Sequence, residues 1–509
     1  MATRIFQGVQ QPVCIVLASR SAKSDLRMPA RVRFHALPTG HRTEKFKALG
    51  ELRLAANAWI DCPTDWRAPF LPSSTGAWAT FPKLDELFIY NGSGVMPGRT
   101  WIIAPDAESL EQRWQKLVSA PDAEKETLFH PHLRGGKIGD KHSKKVVAKG
   151  LGNYKATAKT IADEKGKALS PIRYGFRSFD RQWIIPDARL INQPNPDIWA
   201  LHSDQQVYIT ALSRTSPTGG PALTVTGLVP DLDHYKGSFG GRVFPLWRDA
   251  GATSANLPPK LLPFLAKRLG RPVSAEDFIA YIAATAAHPA FTALFQDDLS
   301  TPGLRIPITA DAATFSEAAA IGRTVIWLHT FGERLADPEH GRPAQPPRLP
   351  ENKRPRMPVD GAIPQAPKLM PDDIDYDPST KRLRIGSGYV ENVPPGVWRY
   401  ETSGKQVLLQ WFSYRKRKRE RPIIGDRRPP SSLGNIQADH WLAEYTTELI
   451  NVLNVLGWLV ELEAPQAALL DKICSGPLIT QAELRVAGAF DIPKKTQSRR
   501  ANDETAPFL

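Results

Sequence analysis

Cysteine is scarce in this sequence, and its placement does not allow a covalent framework. The three cysteines, Cys14, Cys62 and Cys474, are odd in number, far apart and without a CxxC spacing. A disulfide-stapled fold needs paired cysteines, and a zinc knuckle needs two close pairs. Both classes are therefore excluded, and we expect a reducing compartment.

Long hydrophobic runs are missing as well. The longest run near the start, from Val13 to Ala18, contains six residues. A membrane-spanning helix needs about twenty consecutive apolar residues, and the core of a signal peptide is also longer than this run. The sequence therefore predicts no membrane partner, and we expect a cytoplasmic protein.

The chain also lacks the common motifs for nucleotides, metals and S-adenosylmethionine. The nearest approach to a GxxxxGK[ST] phosphate loop is residues 135–143, which have the wrong spacing and no apolar strand before them. No HExxH occurs, and we expect His130 and His132 to be surface residues of a proline-interrupted loop. Neither the Gly-rich turn of an amino-methyltransferase nor its Asn-Pro-Pro-Tyr-like loop for a flipped base is present. The sequence predicts no catalytic residue, cofactor site or metal site.

Positive charge, by contrast, is abundant. The formal net charge of +14 and a pI of about 9.6 favour a polyanionic partner, nucleic acid first. Six of the seven residues 415–421 are Lys or Arg, and they follow a predicted aromatic strand and amphipathic segment within 389–414. Fixed charges neutralise phosphates and flat side chains stack on bases, so the pattern is typical of a DNA contact. A solvated basic face is the alternative.

Hydrophobic periodicity predicts a mixed α+β chain. Alternating or apolar runs predict strands, and apolar residues at three- and four-residue steps predict helices. Between 172 and 249 the β-prone runs predict a mixed or antiparallel sheet. The other predicted elements are a buried strand at 13–18, a helix at 44–54, strand-loop-strand at 87–104, a helix capped by Asp106, and helices near 258–269, 274–287 and 311–335.

The remaining segments are marked by composition. Eleven prolines between 338 and 378 exclude a continuous helix or a central strand, so this stretch is a linker or strap. Residues 134–167 are rich in Lys and Gly, and we interpret them as a phosphate-facing loop. A long helix is predicted to begin at Asp439 and to be limited by Pro465.

Two arginine-containing segments allow two interpretations each. Arg177 and Arg181 flank Asp180, so an Arg-Asp pair could fix a turn, or a guanidinium fork could face a DNA base. In residues 92–99, glycines permit close approach to a ligand and Arg99 supplies charge, while a tight hairpin is the alternative.

Together, several segments resemble the C-terminal part of type ISP restriction-modification enzymes, which are single polypeptides related to type I enzymes. The resemblance covers residues from about 80 to about 480. Related proteins carry a looser version of the signature around 173–183, and they have Pro at the position of Ser178. The segments that carry it are 91–99, 173–191, 216–223, 233–246 and 404–415.

The resemblance implies the end of an adenine-N6 methyltransferase domain followed by a target-recognition region. Full-length relatives carry a nuclease, a helicase-like ATPase and a methyltransferase before this region, so S-adenosylmethionine, ATP and Mg²⁺ are implied only for the complete enzyme. Whether this chain is an enzyme is left open. The implied domains are 1–65 (methyltransferase remainder), 66–336 (target recognition), 337–380 (linker), 381–490 (basic and aromatic module with helices) and 491–509 (disordered tail).

Our sequence-based hypothesis is a specificity subunit that binds double-stranded DNA and works with an upstream methyltransferase, helicase or nuclease chain. One alternative is half of an adenine-N6 methyltransferase, active only with a separate chain, and another is a non-specific polyanion binder. The candidate base contacts are Arg99, Arg177, Arg181 and Arg242, and the candidate phosphate contacts are Lys405, Arg415, Lys416 and Arg417.

Overall fold

The structure is a computed structural model that divides into two compact units, Met1–Ala79 and Thr80–Leu509. The structure describes residues 14–22, 25, 27–38, 40–55, 58–62, 70, 72, 77–134, 136–139, 141–213, 215–238, 240–300, 303–417 and 428–492.

The first unit contains one helix and one pair of short strands. Strand β1 (Arg33–Phe34) pairs antiparallel with β2 (Ile60–Asp61), and helix α1 (Arg42–Glu51) lies between them in the chain. The helix predicted at 44–54 is confirmed. The buried strand predicted at 13–18 is wrong for residues 14–18, which are exposed and have no regular structure. No described strand lies beside them to pair with their backbone groups, which a buried strand requires.

The second unit contains several small antiparallel sheets. One four-stranded sheet has the order Leu223–Thr226, Tyr208–Ala211, Arg242–Pro245 and Gly92–Ser93, and one three-stranded sheet has the order Ile103–Ala104, Asp180–Ile184 and Ile172–Arg177. The strands predicted between 172 and 249 are confirmed, and their pairing is antiparallel. The strands are β3 (Gly92–Ser93), β4 (Ile103–Ala104), β5 (Leu133–Arg134), β6 (Lys137–Ile138), β7 (Ile172–Arg177), β8 (Asp180–Ile184), β9 (Tyr208–Ala211), β10 (Leu223–Thr226), β11 (Arg242–Pro245), β12 (Ile308–Thr309), β13 (Ile374–Asp377), β14 (Arg382–Ile385), β15 (Gly388–Val390), β16 (Glu401–Thr402), β17 (Lys405–Gln406) and β18 (Leu478–Ile479).

The helix predicted to be capped by Asp106 and the helices predicted near 258–269, 274–287 and 311–335 are confirmed in the same unit. The side chain of Asp106 accepts a hydrogen bond from the N–H of Ser109 at 2.6 Å, and Ser274 and Asp277 form a capping box. The helices are α2 (Ala107–Ser119), α3 (Asp122–Phe129), α4 (Pro196–Ala200), α5 (Leu261–Leu269), α6 (Ala275–Ala286), α7 (Pro289–Leu294), α8 (Ala312–His329), α9 (Pro395–Arg399), α10 (Val407–Ser413), α11 (Ala443–Ser475) and α12 (Gln481–Val486). The predicted α+β class is confirmed.

Helices α6 and α8 pack closely against each other and cover strand β10. Gly322 of α8 makes this approach possible, because a Cβ at this position would overlap with the backbone of Ala280 in α6. With helices over it, β10 is buried along its whole length, and so is β9. This explains why these strands read as almost continuous β-prone runs.

The prediction that Pro465 limits the long helix is wrong, and so is its predicted start at Asp439. Helix α11 begins at Ala443 and runs through Pro465 to Ser475. A proline leaves the carbonyl four residues earlier without its helical donor. Here both Pro465 and Glu461 are exposed, so water can satisfy that carbonyl.

The proline-rich segment 338–378 is packed against the rest of the second unit. It contains short 3-10 turns instead of a continuous helix, and it buries the side chains of Leu349, Ile363 and Met370. Strand β13 at its end pairs with β14, which pairs with β15, in a small meander. The predicted tail at 491–509 lies outside the described residues except for 491 and 492.

Candidate nucleic-acid interface

Two glycine-containing loops of the second unit pack side by side. They are residues 91–99 and residues 230–242, of which 239 lies outside the described part. The N–H of Val95 donates to the carbonyl of Pro230 at 2.9 Å. A Cβ at Gly94 would overlap with the backbone of the second loop, so only glycine fits this approach. The predicted glycine-rich loop therefore contacts another loop of the same chain.

The hairpin β16–β17 and helix α10 meet the second of these loops. The Lys405 ammonium donates to the hydroxyl of Ser238 at 3.1 Å, and the Gln410 amide donates to the carbonyl of Lys236 at 3.0 Å. A Cβ at Gly237 would overlap with that amide. We call residues 91–99, 230–242 and 401–417 the loop cluster.

Arg177 lies beneath the loop cluster, where it is enclosed by the fold. Its guanidinium forms an ion pair with Asp231 at 2.7 Å and donates to the hydroxyl of Tyr414 at 3.0 Å. Burial alone would lower the pKa of Arg177, but the neighbouring Asp231 carboxylate raises it above the ordinary value. With 5% of the residue exposed, Arg177 supports the loops from below, and a base contact would require this pair to open.

Asp180 pairs with Arg415, not with Arg177 as the turn interpretation supposed. The contact is bidentate, with N–O distances of 2.7 and 3.1 Å, and both side chains are 2% exposed. The Arg415 guanidinium also lies over the Trp411 ring at 3.6 Å. Arg415 is therefore not available for the expected phosphate contact. Its ion pair with Asp180 joins the end of α10 to the β7–β8 turn, and we call this pair the clamp.

Arg181 and Arg242 also have partners inside the protein. Arg181 forms ion pairs with Glu448 and Glu333, both at 2.9 Å. Arg242 donates to the side chain and to the carbonyl of Asn91, at 2.7 and 2.8 Å, and it remains partly exposed at the edge of the loop cluster. Of these two, Arg242 is the better placed to reach a ligand.

Arg99 is buried over the ring of Phe129, 4.3 Å from its centroid. Burial lowers the pKa of Arg99 to about 9, opposed by the charge of Glu126 and reinforced by that of Arg428. Only 2% of Arg99 is exposed, so the predicted DNA contact at this position is not accessible in this conformation. The glycines before it serve the loop packing.

The cations that remain accessible lie on the hairpin and just after α10. Burial lowers the pKa of Lys405, and the charges of Lys236 and Arg177 lower it further while Asp233 opposes them. Arg417 is exposed and pairs with Asp372 at 2.8 Å, and Lys416 is partly exposed. The rest of the predicted basic run, 418–421, lies outside the described residues.

The aromatic residues beside the basic run form core, which corrects the prediction of an aromatic strand that stacks on bases. Residues 395–399 and 407–413 are helical, and only β16 and β17 between them are strands. Trp398 stacks on Tyr376 at 5.5 Å between ring centroids and stays partly exposed. The buried aromatic residues are Tyr400, Trp411, Phe412 and Tyr414.

Sequence reasoning missed several polar residues of the loop cluster. Lys236, Ser238 and Gln410 carry no motif of their own, and Gln410 is 174 residues from Lys236 in the chain. In the sequence, only the glycines near Ser238 indicate a loop that packs closely against another segment. On α10, Leu409 is 38% exposed and Gln410 is partly exposed, while the rest of the helix is largely buried.

Within the described ranges, no group of three or more His, Cys, Asp or Glu side chains is arranged to hold a metal ion. Among the described helices, none combines the length and the apolar character needed to cross a membrane.

The fold of this chain is similar to part of the fold in several solved structures. The chain is similar to the protein in a cryoEM structure of a DrdV–DNA complex, with a TM-score of 0.52 and 15% identity over 87% of this chain and 43% of that one. A weaker likeness is to a nuclease-deletion mutant of the Type ISP restriction-modification enzyme LlaGI in complex with a DNA substrate mimic, with a TM-score of 0.47 and 12% identity over 85% of this chain and 32% of that one. Another is to the ATP-dependent Type ISP restriction-modification enzyme LlaBIII bound to DNA, with a TM-score of 0.48 and 12% identity over 88% of this chain and 28% of that one.

The chain spans less than half of the length of each of these structures. No curated protein matches it. The family model of the Type ISP C-terminal specificity domain matches residues 86–451, which is more than half of the chain and contains the loop cluster. The chain therefore belongs to the family of Type ISP C-terminal specificity domains.

Proposed function

We propose that this chain binds double-stranded DNA at a specific sequence, as the target-recognition part of a Type ISP restriction-modification system. The electrostatics of the loop cluster carry the proposal. Lys405 is held close to Lys236 and above Arg177, and the lowered pKa of Lys405 reflects its burial and this repulsion. An anionic ligand would relieve the repulsion, and a phosphate of the DNA backbone is such a ligand.

Family and fold support the same proposal. The solved proteins to which this chain is similar are described as DNA complexes, and the matched family is a specificity domain. We further infer that any chemistry requiring S-adenosylmethionine, ATP or Mg²⁺ comes from a methyltransferase, helicase or nuclease outside this chain. The prediction that residues 1–65 are the remainder of a methyltransferase domain is part of the same proposal.

The loop cluster offers both kinds of contact that sequence-specific binding requires. Lys405, Lys416 and Arg417 supply charge for phosphates, which positions a protein on DNA without reading its sequence. Gln410 and Ser238 bring hydrogen-bonding groups to the same surface, and a Gln amide can pair with the adenine edge in the major groove. Arg242 at the edge of the cluster can contribute a guanidinium fork.

The test is selection of bound sequences from a pool of random duplex DNA at two salt concentrations. One enriched motif that persists at the higher salt is the expected result, because base contacts depend less on salt than phosphate contacts do. Salt-sensitive binding without an enriched motif would contradict sequence readout and favour the alternative of a non-specific polyanion binder.

A further inference from the structure

A second basic surface lies outside the loop cluster, on the irregular segment between α3 and β7. We call its described residues, 136–139 and 141–170, the lysine strap. Among these residues one acidic side chain, Asp163, is exposed. The exposed lysines are Lys137, Lys144, Lys149, Lys155, Lys159, Lys165 and Lys167.

The backbone of the lysine strap is tied to the core at several points. The indole N–H of Trp114 donates to the carbonyl of Gly166 at 2.9 Å, and the ammonium of Lys125 donates to the carbonyl of Ala162 at 2.6 Å. Arg189 donates to the carbonyl of Lys159 at 3.1 Å. The strap therefore follows a fixed path, although it is almost free of helix and strand.

Buried side chains of the strap complete this attachment. Leu151 and Ile161 are fully buried in the hydrophobic core of the second unit. Glu164 is also buried and forms an ion pair with Arg189 at 3.0 Å, so its charge is directed inward. Inward groups thus hold the strap, and apart from Asp163 its exposed charged groups are lysines.

We propose that the lysine strap is a second DNA contact, which follows the phosphate backbone and carries no sequence preference. Lysine presents a flexible point charge without the fork that reads a base edge, so a row of lysines suits phosphates. The seven lysines form no ion pair within the described residues, so their charge is available to a ligand. The proposal rests on the proposed function in one respect, namely that the anionic partner is DNA.

The experiment compares two variants of the full chain with equal net charge. The strap variant replaces Lys144, Lys149, Lys155 and Lys159 by Gln. The matched control replaces four exposed lysines elsewhere in the second unit, namely Lys83, Lys267, Lys368 and Lys381, by Gln. Binding to a labelled duplex that carries the selected motif, or to a random duplex if none is selected, is measured across a series of salt concentrations.

Each phosphate contact contributes about 0.9 to the slope of log K against log salt, so loss of four contacts lowers the slope by about 2–4. We expect this fall for the strap variant, a weakening of roughly 10- to 1,000-fold at low salt, and an unchanged selected motif. For the control we expect less than half a unit of slope change. Thermal unfolding of both variants establishes that each is folded.

Equal slopes for the folded strap variant and the control would overturn the proposal, and so would a changed motif in the strap variant. Loss of binding to phosphatidylserine vesicles with unchanged DNA binding would also overturn it, in favour of a membrane surface. The unaltered chain could select no motif while the strap variant still lowers the salt slope. That result would refute the proposed sequence-specific binding and support the lysine strap as a DNA contact. Absence of any DNA binding would refute both.

Discussion

The ion pair between Arg177 and Asp231 is the residue contact on which the loop cluster depends most directly. We expect Arg177→Ala to lower the free energy of unfolding by about 3–5 kcal/mol, because it leaves the Asp231 carboxylate buried and unpaired. Urea unfolding measures this loss. Arg417→Ala is the control, since it removes an exposed pair with Asp372 worth less than about 1 kcal/mol. Similar stabilities for the two variants would show that Arg177 is not a structural residue.

Lys405 is the residue for which we expect an effect on binding and not on folding. Lys405→Gln should lower the salt slope of DNA binding by about one unit and weaken all sequences alike, as loss of a single phosphate contact does. Binding isotherms at several salt concentrations measure the slope. Lys381→Gln, at an exposed site in the second unit, is the matched control. A weakening confined to one sequence would instead assign Lys405 to base readout.

Buried histidines should make the stability of the chain depend on pH. Burial lowers the pKa of His234 and of His329 to about 3, well below the value of about 6.5 for an exposed histidine. The folded state keeps both neutral, whereas the unfolded state binds protons below about pH 6.5. Stability is therefore fully present above that pH and decreases as the pH falls toward 3.

His329→Asn isolates one of these groups, because the Asn carbonyl can replace the ring nitrogen that accepts from the N–H of Val225 at 3.1 Å. We expect the variant to lose stability more slowly between pH 6 and 4, by about 1.4 kcal/mol per pH unit. Urea unfolding at a series of pH values measures the difference. Parallel curves for the two proteins would mean that His329 is protonated in the folded state.

For single residues, the sequence predicts which charged side chains form specific contacts, but not whether those side chains are buried or face solvent. The sequence singles out Arg177, Asp180 and Arg181 as a site of charge pairing, and each of the three forms an ion pair with a residue from another part of the chain. The partners of the two arginines, Asp231, Glu448 and Glu333, lie 54 to 267 residues away in the chain, and their positions follow from tertiary packing. Without them, a buried guanidinium and a DNA-facing guanidinium have the same local sequence.

Among the elements, helices α6 and α8 are packed so closely at Gly322 that no larger side chain fits between them. Gly322→Ala should force the helices apart, since the added Cβ overlaps with the backbone of Ala280, which cannot move aside alone. We expect a loss of about 1–3 kcal/mol in the free energy of unfolding, although alanine favours helix formation by about 1 kcal/mol. Gly50→Ala in α1, where a Cβ meets no atom within 4 Å, is the control and should be neutral or stabilising. Stabilisation by Gly322→Ala would refute the close contact.

Element predictions succeeded where local signals decide the structure. Capping residues and periodicity located α2, α6 and α8, and turn residues separated the strands from β7 to β11. They failed within 389–414, where an aromatic strand was predicted but Trp411 and Phe412 belong to helix α10. Together with Tyr414 and Arg415, these residues are buried against β7, β8 and α11, so tertiary contacts determine the helix there.

At the scale of the whole molecule, composition and motif combination were enough to predict the mixed fold class and the family. Net positive charge indicated a polyanionic partner, and that remains the basis of the proposed function. The surface that we propose as the DNA contact was not predictable in detail, because the loop cluster joins segments from three distant parts of the chain. The functional assignment of the first unit, Met1–Ala79, stays a prediction.

The clamp between Arg415 and Asp180 has a consequence for how target sites can diversify. Helix α10 is fastened to the β7–β8 turn through groups that face inward, whereas Leu409 points outward and takes no part in the clamp. Substitutions at such outward positions are expected to change stability by less than about 0.5 kcal/mol. If the proposed function holds, substitutions at such positions change the target preference on a retained scaffold, and these positions are the starting points for retargeting by design.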